Sequence, residues 1–269
     1  MVDYTLLSFD DLKTENIVFS DPFKGTHRTI IPLAIQENGE DKPLIVNTPP
    51  NLLSFGIQEI QDRDKKQVLG YQMPICLWGK KKVTDEEQQF TDKLTEILEY
   101  IKNFLMDEKD DLNITESQIN NLNIMNWKYE NGEIKKDKGP ILYAKLMTNK
   151  NNNITTYFLD DNTDVTFDPL ELLNKKCITR SAIKIENIII GHRITIQIKL
   201  YEVQVKKLNN QEKVFVTRSL LKPSVVLKRP LVEKKKEIKT DSLKKNMFAV
   251  LETEDDNDDV VEPETTEIV

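Results

Sequence analysis

The sequence predicts a β-rich α+β fold, in which long, curved, antiparallel strands are joined by one long helix. Three observations carry that expectation. Residues 177–205, CITRSAIKIENIIIGHRITIQIKLYEVQV, alternate: Ile194, Ile196, Ile198 and Leu200 fall on one side, and Thr195, Gln197, Lys199 and Tyr201 on the other. After Leu200 the apolar phase slips to Tyr201, Val203 and Val205, as a β-bulge or sharp coil at Leu200 and Tyr201 would make it do where a sheet bends towards closure. Thr84 and Glu87 form a capping box, followed by Phe90, Leu94, Ile97, Leu98, Ile101 and Leu105 at helical spacing, which sets a helix over about 85–106.

The other elements follow in chain order. Residues 1–20 carry no clear pattern. Residues 25–36 read as a strand interrupted at Pro32, suited to an edge or a bulge. Asn38-Gly39 marks a turn, and residues 42–47 read as the partner strand of a hairpin whose loop is longer than two residues. In TPPNLLSFGI, residues 48–57, two prolines force an extended or turning backbone that Leu52, Leu53, Phe55 and Ile57 anchor to a core. Residues 69–78 are a strand, and 115–122 a short second helix. Residues 127–139 form a polar hairpin tipped by Asn131-Gly132, and 141–148 with 154–159 another hairpin. A short helix opens at Asp168-Pro169. Residues 182–190 are β-branched, Gly191-His192 turns the chain into the alternating strand, and 215–221 offer one more strand. About eight strands with an inserted helix fit an oligonucleotide-binding type of barrel with insertions, and equally several other small barrels.

Charge divides the chain. Residues 251–269 hold nine acids and no base, among them Glu252, Glu254, Asp255, Asp256, Asp258 and Asp259, whereas 206–245 hold thirteen Lys or Arg against four acids. Without the tail, 38 bases face 36 acids, so the net charge of -7 belongs to the terminus. The expected organisation is a β-barrel domain over 1–227, a basic linker over 228–250 and a disordered acidic tail over 251–269. Such a tail can mimic nucleic acid and hold a basic groove until a strand displaces it, can recruit partner proteins, or can simply solubilise.

No apolar run approaches the roughly 20 residues that span a bilayer, and the first residues carry acids where a signal peptide carries bases, so an intracellular aqueous location is expected, with no membrane contact. Cys76 and Cys177 each lie in an apolar strand-like run and read as reduced, structural residues. Enzyme chemistry finds no motif. Eight glycines include no G-x-G-x-x-G and no G-x-x-x-x-G-K-[ST], and His27, His192 and the two cysteines lack metal-ligand spacing. No catalytic residue, metal site or cofactor is expected.

Basic residues interleaved with aromatics remain. Tyr71 and Trp78 precede Lys80, Lys81 and Lys82; Trp127 and Lys128 are adjacent; Tyr143 and Lys145 share a strand face; Lys184, Arg193 and Lys199 lie on the organising strands. Single-strand binders need this pairing, since aromatic faces stack on any base while cations neutralise phosphates. Taken singly, each aromatic is more commonly core and each lysine more commonly solvated surface.

Three segments in this order carry a resemblance: KPLIVNTPPNLLSFGI (42–57), YQMPICLW with the following helix (71–106), and SAIKIENIIIGHRITIQIKLYEVQV (181–205). In these the sequence resembles the single-stranded DNA-binding proteins of nucleocytoplasmic large DNA viruses, which are similar to the acidic-tailed single-strand binders of short-tailed phages. The resemblance implies an oligonucleotide-binding barrel with a helix laid across it, sequence-independent coating of single-stranded DNA during viral replication, replication proteins as partners of the tail, and a place at the viral replication site in the host cytoplasm or in the virion. The phage tails end on an aromatic residue, whereas this chain ends on Val269. RNA as ligand and homo-oligomer formation stay open, as does a rival reading: a non-enzymatic scaffold that binds proteins through its β domain and charged tail.

Overall fold

A computed structural model describes residues 8–62, 67–79, 83–135, 138–151, 153–161, 163 and 165–207. The strand expected at 215–221, the basic linker, the acidic tail and Lys80, Lys81 and Lys82 lie outside these residues. The strands are β1 (Ile17–Phe19), β2 (Phe23–Lys24), β3 (Thr29–Glu37), β4 (Glu40–Pro43), β5 (Ile45–Asn47), β6 (Leu52–Ser54), β7 (Gln58–Gln61) and β8 (Val68–Cys76). The helices α1 (Asp85–Asp107), α2 (Lys109–Leu112) and α3 (Glu116–Asn120) follow. Then come β9 (Tyr129–Glu130), β10 (Glu133–Ile134), β11 (Ile141–Leu146), β12 (Tyr157–Asp160), β13 (Cys177–Ile190) and β14 (Ile194–Lys207). The protein is mostly β-sheet with one long helix, an α+β arrangement.

Among the described residues the antiparallel pair β13 and β14 is the longest, and β3, β5, β6, β11 and β12 pair directly with it. The connection is the three residues Gly191, His192 and Arg193, with Ile190 in register with Ile194. Along the pair the register runs Ile183 with Leu200 and then Ala182 with Glu202, so Tyr201 is an extra residue; the phase slip in the sequence is this bulge. A second bulge follows from Ile185 opposite Ile198 and Asn187 opposite Gln197, which leaves Glu186 as the extra residue. β13 pairs antiparallel with β6, β6 with β8, and β8 with β11; β11 then pairs parallel with β14. The pairings therefore return to β13 and form a ring of five strands. β12 continues beside β14, also parallel, and β5 and β3 pair with other parts of β13. β1, β2 and β4 attach to β3, and β7 to β8.

Two prolines mark where a strand changes partner. β3 pairs with β13 through Pro32 and with β4 from Ala34 onward, so Pro32, which has no N–H to give, sits at the handover. The strand is not interrupted there, contrary to the sequence expectation. In β8, residues 68–72 pair with β7 and residues 75–76 with β6, and Pro74 lies between. The hairpin from β3 to β4 also departs from expectation. Its loop is the two residues Asn38 (φ 54°) and Gly39 (φ 81°), a type I′ geometry whose twist matches the strands.

Helix α1 begins with the expected capping box, Thr84 accepting from the Glu87 N–H and Glu87 from the Thr84 N–H. Its buried stripe, Phe90, Leu94, Ile97, Leu98, Ile101 and Leu105, joins the core that fills the ring. The N-terminal segment closes over it: Phe9 meets Phe90 edge-on at 5.7 Å, Phe19 stacks on Phe104 at 3.8 Å, and Thr14 Oγ1 donates to the Glu96 carboxylate. At the far end Gln118 of α3 donates to the His192 carbonyl in the turn between β13 and β14. No helix among the described residues is long and apolar enough to cross a membrane.

Candidate nucleic-acid interface

Register places three lysines side by side. Lys145 of β11 lies opposite Lys199 of β14, and Lys199 opposite Lys184 of β13, so the three form one row across adjacent strands. Strands lie about 4.8 Å apart, so this row concentrates positive charge within about 10 Å. All three are half-buried. Inward neighbours Leu146, Ile198, Leu200, Ile183 and Ile185 are core, so alternation directs the lysines to the outer face.

On its β13 side the row opens into a groove of about 620 Å³, whose lining includes Phe23, Arg28, Lys42, Lys184, Glu186 and Lys199. β3 and β4 form its far wall. Lys42 is 3.1 Å from a Glu37 carboxylate oxygen. Glu186 sits between two lysines, Oε1 at 2.6 Å from Lys184 Nζ and Oε2 at 2.7 Å from Lys199 Nζ. Burial pushes the Glu186 carboxyl up, and the two ammoniums more than offset this, leaving it below the ordinary carboxylate range. Beside it Asn187 Nδ2 donates to Gln197 Oε1 at 2.8 Å, so an amide pair lies on the same face.

Two of the exposed aromatics border this strip. Among the described residues the exposed large aromatics are Phe23 at 45%, Tyr143 at 37% and Tyr129 at 61%. Phe23 lines the groove; Tyr143 precedes Lys145 by two residues on the outward face of β11; Tyr129 lies on the ribbon of β9 and β10, which precedes β11. Burial raises the Tyr143 hydroxyl pKa, so it remains a neutral ring with a hydrogen-bonding tip.

One expected platform is corrected. Trp78 is 7% exposed and meets Trp127 edge-on at 5.5 Å; Gly139 packs so closely on it that an added Cβ would lie 2.7 Å from its backbone. Its ring is core and offers no face to a base. Trp127 and Tyr71 are partly buried against the same core. Lys128 is exposed beside Tyr129, and Arg193 is exposed in the turn between β13 and β14. Arg28, Lys42 and Phe23 were not singled out in the sequence, because only the folding of β2–β4 beside β13 makes them neighbours of Lys184.

Burial pushes the Cys177 thiol up to about 12, and raises Cys76 as well. Cys177 pairs with Ser54 and Cys76 with Leu53, neighbours on β6, so the two cysteines point to opposite faces of the sheet. Among the described residues no group of three or more His, Cys, Asp or Glu could hold a metal ion.

Residues 13–247 match the family described as "Protein of unknown function (DUF2738)", and the chain belongs to that family. It is also similar to "Uncharacterized protein 007R" of Invertebrate iridescent virus 3, 26% identical over 173 residues, which are 62% of this chain and 37% of the relative. The chain thus spans well under half of that relative's length. Among solved structures it is weakly similar to "Single-stranded DNA-binding protein from bacteriophage Enc34 in complex with ssDNA", with a TM-score of 0.34 and 13% identity over 73% of this chain and 98% of that one.

Proposed function

We propose that this protein is a non-enzymatic binder of single-stranded DNA, and that the ring of β6, β8, β11, β14 and β13 is an oligonucleotide-binding type of barrel. The observation that carries the reading is the row Lys145, Lys199 and Lys184, in register across three strands and bordered by the exposed rings of Tyr143 and Phe23. Cations in a row follow a phosphate backbone, and exposed rings beside them stack on bases of any identity. In barrels of this type the ligand lies across the second and third strands and the loop between the fourth and fifth. Those are β8 and β11, which border the lysine row, and the turn holding Arg193, about 20 Å along β14 from Lys199. The acidic tail from Glu252 acts as a competitor for the same cations and as a docking segment for replication proteins, at the site of viral replication.

The test is a fluorescence-anisotropy titration of labelled oligo-dT with the full chain at several salt concentrations. Affinity falling linearly in log salt, with a slope near -0.7 per neutralised phosphate, is the expected result, and a chain ending at Val250 binds more tightly. Burial of Trp78 against Trp127 favours a second reading, a scaffold that binds proteins through the β domain. Absence of binding by either chain at low salt would leave that reading standing.

A further inference from the structure

We infer that the space between Lys184 and Lys199 is a seat for a backbone phosphate, occupied in the free protein by the chain's own Glu186 carboxylate. The inference rests on the single-strand reading and names the chemistry of one subsite within it. Two lysines directly opposite on neighbouring strands repel, and a strand without an anion between them would be destabilised. Glu186 resolves this. Alternation puts it on the same outer face as Lys184, the bulge brings Asn187 to that face as well, and each carboxylate oxygen meets a different ammonium, at 2.6 and 2.7 Å.

The geometry makes the seat exchangeable. A carboxylate presents two anionic oxygens to two separate ammoniums, as a phosphodiester does with its two non-bridging oxygens. The three side chains keep between 20% and 30% of their surface in solvent, with Glu186 Oε2 itself covered, so a ligand gains the lysines by turning the carboxylate out rather than by unfolding a strand. On one side Lys145 extends the row, and on the other lie Arg28 and Lys42 across the groove. A strand following this path must cross Glu186. Its phosphate either displaces the carboxylate from the lysines or shares them at a cost. The groove is therefore kept in a weak-binding state by a residue inside it, independently of the distant tail.

The measurement is the same oligo-dT titration on the full chain and on its Glu186→Gln variant, which keeps the shape and removes the charge. The variant is expected to bind about fivefold more tightly at low salt, the size of one half-buried charge beside the ligand, with a log-salt slope steeper by about 0.7. Adding Lys184→Gln to that variant removes the gain. Equal or weaker binding by Glu186→Gln, with binding by the unaltered chain intact, overturns the inference and makes the carboxylate a brace for the lysines. Absence of binding by both chains overturns the single-strand reading and the seat with it. A readout on the unaltered chain is independent of how the variant folds: the Glu186 carboxyl carbon resonance shifts on saturation with oligo-dT if the lysines change partner, and stays fixed if they do not.

Discussion

Residues 48–57 and the outer face of β13 between Lys184 and Asn187 lie against the same strand, one near its start and one near its end, and they are built to opposite rules. The first is closed. The Thr48 N–H donates to the Ser181 carbonyl while Thr48 Oγ1 accepts from the Ser181 N–H; Ser54 Oγ donates to the Pro74 carbonyl and accepts from the Gly56 N–H. Ile57 and Asn174 complete the joint, Ile57 donating to the Leu172 carbonyl and accepting from Asn174. The second is more open: charges face each other at hydrogen-bond distance, and their side chains keep 20% to 30% of their surface exposed, although Glu186 Oε2 itself is covered. A joint that must not move buries its polar groups with fixed partners, whereas a surface that must exchange ligands keeps its partners replaceable.

The comparison breaks most sharply at Gly56. Its φ is +88°, and a Cβ there would lie 2.3 Å from the Lys175 carbonyl oxygen and 2.5 Å from that of Leu172. Gly56→Ala therefore meets both an unfavourable backbone and backbone atoms that cannot retreat. A loss of about 3 kcal/mol or more is expected, read as a shift in the urea midpoint. A stability change below about 0.5 kcal/mol would show that the joint is not closed.

The open region should behave in reverse. Lys145→Ala with Lys199→Ala is expected to weaken oligo-dT binding about tenfold or more and to flatten the log-salt slope by about 1.4, with stability nearly unchanged. Removing one ring, Phe23→Ala or Tyr143→Ala, costs about 1 kcal/mol of binding, the low end for one stacked base. Trp78→Phe is the contrasting control. It should leave the binding slope alone and lower stability, because that ring packs on Trp127 and Gly139. Equal binding losses at Trp78 and Tyr143 would erase the distinction between core and interface.

The two regions also differ in how far sequence discloses them. The long helix, the hairpin of β13 and β14 and the bulge at Tyr201 were legible, because each leaves a local period or a break in one. The family-like stretch TPPNLLSFG was legible as unusual, yet its residues turn out to hold a joint. Lys184 and Lys199 were visible as outward residues, but their adjacency to Lys145 depends on a parallel pairing between strands more than fifty residues apart. Pro32 misled because proline was read as an interruption; the strand merely changes partner there. Trp78 misled because a ring beside lysines reads as a platform until Gly139 is seen against it. Local rules determine elements, and the interface is a product of register between elements, which no local rule contains.

The smallest expected effect separates two carboxylates on the same strand pair. Glu202 of β14 lies opposite Ala182, past the Tyr201 bulge from the lysine row, and is 6% exposed; burial alone raises its pKa. Its folded form holds a proton more tightly than the unfolded chain does, so ionisation penalises the fold once pH rises above the ordinary carboxylate value of 4.5. Glu202→Gln is thus expected to be more stable than the unaltered protein at neutral pH, with the difference vanishing as pH falls below that value. Glu186 has the opposite sign. Its folded pKa is lowered, so its ion pairs stabilise above the same unfolded value and are lost as pH falls through the folded one. Glu186→Gln should lose stability at neutral pH, by little because water still screens partly exposed pairs, and match the unaltered protein in acid. Urea midpoints between about pH 2 and pH 8 would then diverge in opposite directions from a common acid limit. Parallel curves for the two variants would mean that Glu186 is not held by its lysines, and would remove the anion from the proposed phosphate seat.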